Sequence, residues 1–557
     1  MSATPVHQFA DQAWSEYLEL NPLWATVQGI ETWDDRLDDP SAAGRATLMA
    51  VVERWAGQVE ELSQDALSVE DTVTLGLMRA VIRRFRGAHQ LRLWEFDALD
   101  QISGPQSLVG ELARFQRTDT PERFENLLRR LAAYPGWMAA HRANVEAGLE
   151  AGRTAPSAVV ERCIGQTREL LETPSEASPL MITNAGLAQE QRVALLTAID
   201  EQVQPALRDW LRLLERCATE ARAGDGVCHL PDGTAIYRHA IRSYTNLAEE
   251  PQAIHDYGLR RLDEIEAAEA SIAAELGHES VTALRVFLDA DPDNHANTPA
   301  EMVELAEGWV RRAEVEAPKW FGNPPREHCE VRAVEAHAEK SAPAGFYYPP
   351  ADDGSRPGIY FLNTFDPSSR PLHQVVPMTF HEAVPGHHFQ LTTERHLDGL
   401  PAFRVHGALL ACGAYVEGWA LYSERLAAEM GLYRTPLERF GAWESEAHRA
   451  ARLVVDTGMH AFGWTRGQSI DLLIERAGLS RLEAEIETDR YLAWPGQALS
   501  YMIGQREIMT LRAQLEARDG ERFDHRAFHD QVIGHGSLPL DVLREQLPGW
   551  VAPKDEA

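Results

Sequence analysis

Thr379-Phe-His381-Glu382-Ala-Val-Pro385-Gly386-His387-His388-Phe-Gln390 packs three histidines and a carboxylate into eight positions of an otherwise apolar frame. On a zinc-peptidase helix, two histidines four residues apart face one ion, and the glutamate beside the first polarises the attacking water. Here the fourth position after His381 is Pro385, so that spacing is absent. An unbroken helix would hold His388 about 10 Å from His381, too far to share one ion. Pro385 removes a backbone donor and Gly386 tolerates unusual dihedrals, so the segment predicts a bent helix that returns one later histidine to the metal. Spacing leaves open whether that ligand is His387 or His388. The other would then support a ligand from behind or touch substrate.

Working outward, the third ligand is expected on another helix. In Tyr415-Val-Glu417-Gly-Trp-Ala-Leu-Tyr422-Ser-Glu424, residues Glu417, Ala420, Leu421 and Glu424 share one face. Two carboxylates on a small, apolar face are costly to bury without a cation, and a zinc ion supplies one. Glu417 is therefore read as a ligand and Glu424 as a group behind a ligand. Single histidines usually sit on solvated helix faces. The density of this cluster reverses that expectation, and three protein ligands beside a carboxylate base leave a coordination position open, as catalysis requires. Two imidazoles and a carboxylate favour Zn2+.

The surroundings are helical. From Asp11 to about Trp320, apolar residues recur at steps of three and four. Ser68-Val-Glu-Asp71 caps a helix carrying Val73, Leu77, Val81 and Phe85, and Thr298-Pro-Ala-Glu301 begins another with a capping box. Breaks are expected at 34–43, 221–234 and 293–299, and no internal repeat is present. Between about 327 and 365 the pattern alternates, with Phe346-Tyr-Tyr348 and Ile359-Tyr-Phe-Leu362 between turn residues, predicting a small antiparallel sheet. Helical patterning resumes near Leu372, with breaks at Arg434-Thr-Pro436, Trp494-Pro-Gly496 and Gly534-His-Gly536. The expectation is a mainly α fold: a helical scaffold half, 1–320, and a metal-site half, 321–557, in one continuous structure.

Composition narrows the function classes. A chain of 557 residues with 44% hydrophobic content buries a large core. With 53 Lys and Arg against 85 Asp and Glu, the net charge of −32 repels nucleic acid and anionic membranes. The five cysteines, odd in number and without a CxxC pair, fit a reducing compartment. No basic segment followed by an apolar run opens the sequence, and no stretch reaches membrane-span length, so the cytoplasm is the expected location.

His381-Glu-Ala-Val-Pro-Gly-His-His388 together with Glu417-Gly-Trp-Ala-Leu-Tyr422 resembles the bacterial family known as domain of unknown function 885. The resemblance extends to Asn21-Pro-Leu-Trp-Ala-Thr26, Asp34-Asp-Arg-Leu-Asp38, Arg452-Leu-Val-Val-Asp-Thr-Gly458 and Pro495-Gly-Gln-Ala-Leu-Ser-Tyr501, and so covers nearly the whole chain. That family is similar to helical zinc carboxypeptidases and dipeptidases of the gluzincin type, which implies a large helical fold with a deep cleft. Those relatives end their HExxH motif in Gly-His. Aligning it with Gly386-His387 requires two extra residues, Val384 and Pro385, and favours His387 as the ligand. Their ligand glutamate is followed seven residues later by another, as Glu417 is by Glu424.

On the substrate side, Glu382 is the expected general base. Tyr501, in Gln497-Ala-Leu-Ser-Tyr501, is read either as the donor to the oxyanion or as a core tyrosine. A substrate carboxylate calls for a guanidinium from Arg506, Arg452 or Arg490. Asn363, at the end of a predicted strand, is a candidate contact to a substrate backbone. Asp456 and His460, one turn apart, read as a further site pair or as a surface hydrogen bond. The leading function is a zinc carboxypeptidase or oligopeptidase acting on small peptides. The alternatives are a zinc amidase or tailoring enzyme for a modified amino acid or small metabolite, and an inactive metal-binding or scaffold protein.

Overall fold

A computed structural model of the protein describes residues 4–64, 67–220, 222–335, 339, 342–350 and 356–552. Parts of the expected strand region, 336–338, 340–341 and 351–355, and Ala221 at the edge of one expected break lie outside the described residues. The chain is mainly helical, and local signals start its helices. Ser68 Oγ accepts the Asp71 amide at 3.1 Å, and Thr298 Oγ1 accepts that of Glu301 at 3.1 Å. Glu301 departs from a full capping box by accepting the Asn297 amide instead of the cap residue's own.

The sheet has three strands, β1 (Glu330–Ala333), β2 (Gly345–Tyr348) and β3 (Ile359–Leu362), in the order β1-β3-β2. β3 runs antiparallel to β2 but parallel to β1. The expected antiparallel sheet is thus a mixed one. The chain returns across the sheet after β2, so β3 slots between its predecessors and must run the same way as β1. All four residues of β3 are buried, which accounts for the unbroken apolar run Ile359-Tyr-Phe-Leu362.

Four helices enclose the histidine cluster. The first, Leu372–Glu382, ends at Ala383, and a second begins at His387 and continues to Arg395. The expected bend is a complete break, spanned by Ala383-Val-Pro-Gly386 with a cis Val384–Pro385 bond. Only glycine fits at 386, because a Cβ there would stand 1.9 Å from the His381 carbonyl oxygen. Gly413–Glu429 and Ser500–Asp519 cross in backbone contact: a Cβ on Gly418 would lie 2.4 Å from Cα of Gly504, and one on Gly504 would lie 1.8 Å from the Ala414 carbonyl oxygen. Pro436–Phe462 approaches the first helix as closely, since a Cβ on Gly441 would meet the His373 carbonyl oxygen at 1.8 Å. On its other side it packs against Pro251–Glu275, where Gly258 faces Leu453 and Val454. The main buried apolar cluster includes residues from Val6 to Val551. No described helix is long and apolar enough to cross a membrane.

Gly504→Ala should force these two helices apart and destabilise the protein by about 1–3 kcal/mol, the usual cost of overpacking. Gly57→Ala, on a helix position with open space around it, should be neutral or slightly stabilising. Denaturant unfolding of the two variants checks both outcomes.

Candidate metal centre

His381 is the penultimate residue of its helix and His387 the first of the next, so the break between them turns both imidazoles toward one point. Their ring centroids are 4.9 Å apart at an interplanar angle of 88°. His381 Nδ1 lies 2.8 Å from Glu424 Oε1, which leaves Nε2 facing inward. That Nε2 is 3.5 Å from Glu417 Oε2, and His387 Nε2 is 3.6 Å from the same oxygen. Ligand atoms about 2.0–2.1 Å from a tetrahedral zinc are separated by roughly 3.3–3.5 Å, so the spacing fits an ion held by His381, His387 and Glu417. Glu382 also brings a carboxylate oxygen within 4.8 Å of both imidazoles. It is the wider-set of the two carboxylates, which suits a base beside the ion; Glu417, at the edge length of a coordination tetrahedron, suits a ligand.

The same helix that carries Glu417 holds the break in shape. Trp419 Nε1 donates to the Pro385 carbonyl at 3.0 Å and to that of Gly386 at 3.3 Å. The position of the third donor is therefore tied to the loop that positions the second.

Burial opposes the charge on Glu417, but the imidazoles of His381 and His387 outweigh it and hold the carboxyl far below the usual carboxylate range. Burial likewise disfavours charged His381, yet its bonds to Glu417 and Glu424 push it up to about 9. The Glu382 carboxyl is raised by burial, with the two imidazoles partly offsetting the rise. Glu417 keeps 26% of its side chain accessible against 4% for His381 and 3% for Glu424, so solvent reaches the cluster from the Glu417 side.

His388 does not belong to the cluster. Its Nε2 is 2.9 Å from the Glu327 carbonyl and its Nδ1 is 2.9 Å from the Tyr347 hydroxyl, so both ring nitrogens are engaged, and burial pushes its pKa down to about 4. After the break it is the second residue of the new helix, and its ring bonds Tyr347 of β2 instead of facing the cluster. The sheet carries one group that sequence reasoning missed. Tyr360 in β3 is fully buried and close enough to Glu382 for the carboxylate's charge to add to burial in raising the phenol's pKa. Only its place in the all-apolar strand run marked it, and that run signals burial alone.

Tyr501 lies one turn before Gly504, so the close helix crossing brings it near Glu417. Burial and the Glu417 charge raise its pKa and keep the phenol protonated as a donor. The Arg452 guanidinium stacks 4.4 Å above its ring. Arg506 is committed elsewhere, paired with Glu249 and lying 5.2 Å over Tyr257. Asn363 is fully buried, with Nδ2 donating to the carbonyls of Glu339 and Ala342 at 2.7 and 3.0 Å and Oδ1 accepting the Phe365 amide. It staples a loop and has no donor left for a substrate. Arg490 spends its nitrogens on Glu487 and Gln497. Asp456 and His460 are both fully buried and do not bond each other. Asp456 accepts from Tyr237 and the Gly496 amide; His460 bonds the Val227 amide and the Tyr491 carbonyl, so the pair is a core fastening.

The family described as bacterial protein of unknown function (DUF885) matches residues 22–547, and the chain belongs to it. Two solved structures share the fold over nearly their whole length. One, described as "the putative lipoprotein from Colwellia psychrerythraea", is 26% identical with a TM-score of 0.87, covering 98% of each chain. The other, "a putative lipoprotein of unknown function from Shewanella oneidensis", is 20% identical with a TM-score of 0.79, covering 98% of this chain and all of that one. Among curated proteins none matches.

Elemental analysis of zinc-loaded variants tests the assignment. His387→Ala and Glu417→Ala should each lose metal by a factor of ten or more, whereas folded His388→Ala should retain about one zinc per chain.

Proposed function

We propose that this chain is a zinc-dependent metallohydrolase of the peptidase kind, a carboxypeptidase or oligopeptidase cleaving small peptides. The observation that carries the reading is the pair of 3.5 and 3.6 Å separations from Glu417 to the two imidazoles, with Glu382 free beside them. Zinc, when bound, supplies Lewis-acid polarisation of the scissile carbonyl and acidifies water. Glu382 then takes the proton of the attacking water and passes it to the leaving amine, a role that its raised pKa supports. Tyr501 donates to the oxyanion that develops on the carbonyl. Glu424 fixes the tautomer of His381 so that Nε2 stays available.

In this reading the fold is of the helical zinc-peptidase kind with a deep cleft. The solvent access of Glu417, with 26% of its side chain exposed, supports a route from solvent to the cluster. Location follows from two diverging cues. The five free cysteines favour the cytoplasm, which we adopt, whereas the similar solved proteins are described as lipoproteins, and cell fractionation separates the two.

Glu382→Gln should bind zinc as the unmodified protein does and lose at least 100-fold in peptide hydrolysis, and Tyr501→Phe should lose about 10- to 1,000-fold in kcat with KM little changed. Steady-state kinetics on a panel of short peptides, with zinc content measured in parallel, checks both. Full activity in Glu382→Gln would contradict the assigned base.

A further inference from the structure

We propose that Tyr360 is a positioning residue for Glu382: its phenol hydroxyl donates to the carboxylate oxygen that does not take the proton from water, and so fixes the plane of the base. The inference rests on the hydrolase reading and adds to it a residue of the sheet, which that reading leaves without a role.

Tyr347 and Tyr360 stand directly opposite each other in the antiparallel pair of β2 and β3, so their phenols share one face of the sheet. That face meets the broken helix on both sides of the break. Tyr347 bonds His388 at the start of the second helix. Tyr360 reaches the first: a Cβ on Gly345 would lie 3.1 Å from Met378 Sδ and 3.4 Å from the Tyr360 hydroxyl, so both groups border one point. Met378 precedes Glu382 by four residues on Leu372–Glu382, which sets the two side chains on one face, a turn apart. Gly345 makes room for the phenol, since the same Cβ would come within 2.9 Å of the Tyr360 ring.

Other fully buried tyrosines give their protons to an acceptor: Tyr237 to Asp456, Tyr415 to the Val532 carbonyl, Tyr491 to Glu487. Among the described residues, the fully buried hydroxyls of Tyr134 and Tyr360 have no partner. An unbonded hydroxyl by itself marks no site, as Tyr134 shows. Burial raises the pKa of both phenols, but on Tyr134 no charged group acts, whereas on Tyr360 the Glu382 carboxylate is the foremost charge adding to the rise. Tyr360 thus differs in lying beside the candidate base.

Thr379 is close enough to act on the phenol, but its hydroxyl donates to the Val375 carbonyl at 2.9 Å and it makes no hydrogen bond with Tyr360. Of the groups that act on the phenol, the Glu382 carboxylate is the strongest acceptor. Hydrogen bonds of a catalytic site are often long until the site is loaded, and this one closes in the zinc-loaded protein. A base held from behind through one oxygen presents the other to water in a fixed orientation, which shortens the search for the reactive geometry. A phenylalanine would fill the same place without burying an unbonded hydroxyl, so the tyrosine costs stability that only such a role returns.

The test compares zinc-loaded, full-length Tyr360→Phe with Tyr134→Phe, since each removes an unbonded buried hydroxyl, and adds a crystal structure of the zinc-loaded wild type. Both variants should keep their zinc, with melting temperatures near or above that of wild type. Tyr360→Phe should lose about 10- to 100-fold in kcat on short peptides with KM little changed, whereas Tyr134→Phe should hydrolyse them as wild type does. Added to Glu382→Gln, Tyr360→Phe should bring no further loss, because it acts through that carboxylate. The crystal structure should place the Tyr360 hydroxyl about 2.5–3.0 Å from a Glu382 oxygen. Full kcat in Tyr360→Phe, a loss undiminished in the Glu382→Gln background, or a loss shared by Tyr134→Phe overturns the role and leaves the hydrolase reading standing. So does a fall in zinc content or melting temperature that accounts for the lost activity, or a separation beyond about 4 Å in the crystal. If the contact is present but zinc-loaded wild type hydrolyses no peptide, the hydrolase reading falls and the contact stands.

Discussion

His387 lies six positions after His381, and along a continuous helix they would be about 9 Å apart in rise, beyond the reach of one ion. The break at Ala383–Gly386 removes that separation, and the geometry of the candidate centre depends on it. It needs a residue without a side chain where the chain folds back on the His381 carbonyl, which Gly386 provides. It also needs acceptors satisfied after the helical ladder is lost: Trp419, on the helix that presents Glu417, donates to the Pro385 carbonyl and shares that of Gly386 with the Gln390 amide. Loop shape and ligand position are thereby set by one element.

The second constraint is the cost of burying charge. Glu424 is almost wholly buried, and its bond to His381 turns that cost into orientation. Glu417 is stabilised in its charged form by two imidazoles, and an ion between them would strengthen that arrangement further. The helix contacts that hold these groups are glycine-mediated: Gly418 against Gly504 places Tyr501 beside Glu417, and Gly441 against His373 seats the arginine-bearing helix on the His381 helix. Removing side-chain bulk at those three points lets four helices converge closely enough for short side chains to meet.

Much of this was legible in the sequence because it rests on local patterns. Helical periodicity, the caps at Ser68 and Thr298, and the seven-residue spacing of Glu417 and Glu424 are short-range signals and correspond to observed features. The break itself was foreshadowed by Pro385-Gly386, though as a bend, because sequence does not show how far a chain turns once a helical bond is lost. The choice between His387 and His388 depended on that turn and on Tyr347, forty residues away, which no spacing rule connects to it. Parallel pairing of β1 with β3 was hidden for the same reason: strand propensity marks a strand without naming its neighbour. Asn363, Arg506 and the Asp456–His460 pair were plausible as site residues on composition, and long-range partners decided their roles.

The most direct measurement is anomalous diffraction at the zinc edge from crystals of the zinc-loaded protein. The account predicts a single strong peak bonded to His381 Nε2, His387 Nε2 and a Glu417 carboxylate oxygen, each at about 2.0–2.2 Å, with Glu382 unbonded beside it. A peak ligated by His388, or well-ordered crystals with no peak between the two imidazoles, would contradict it.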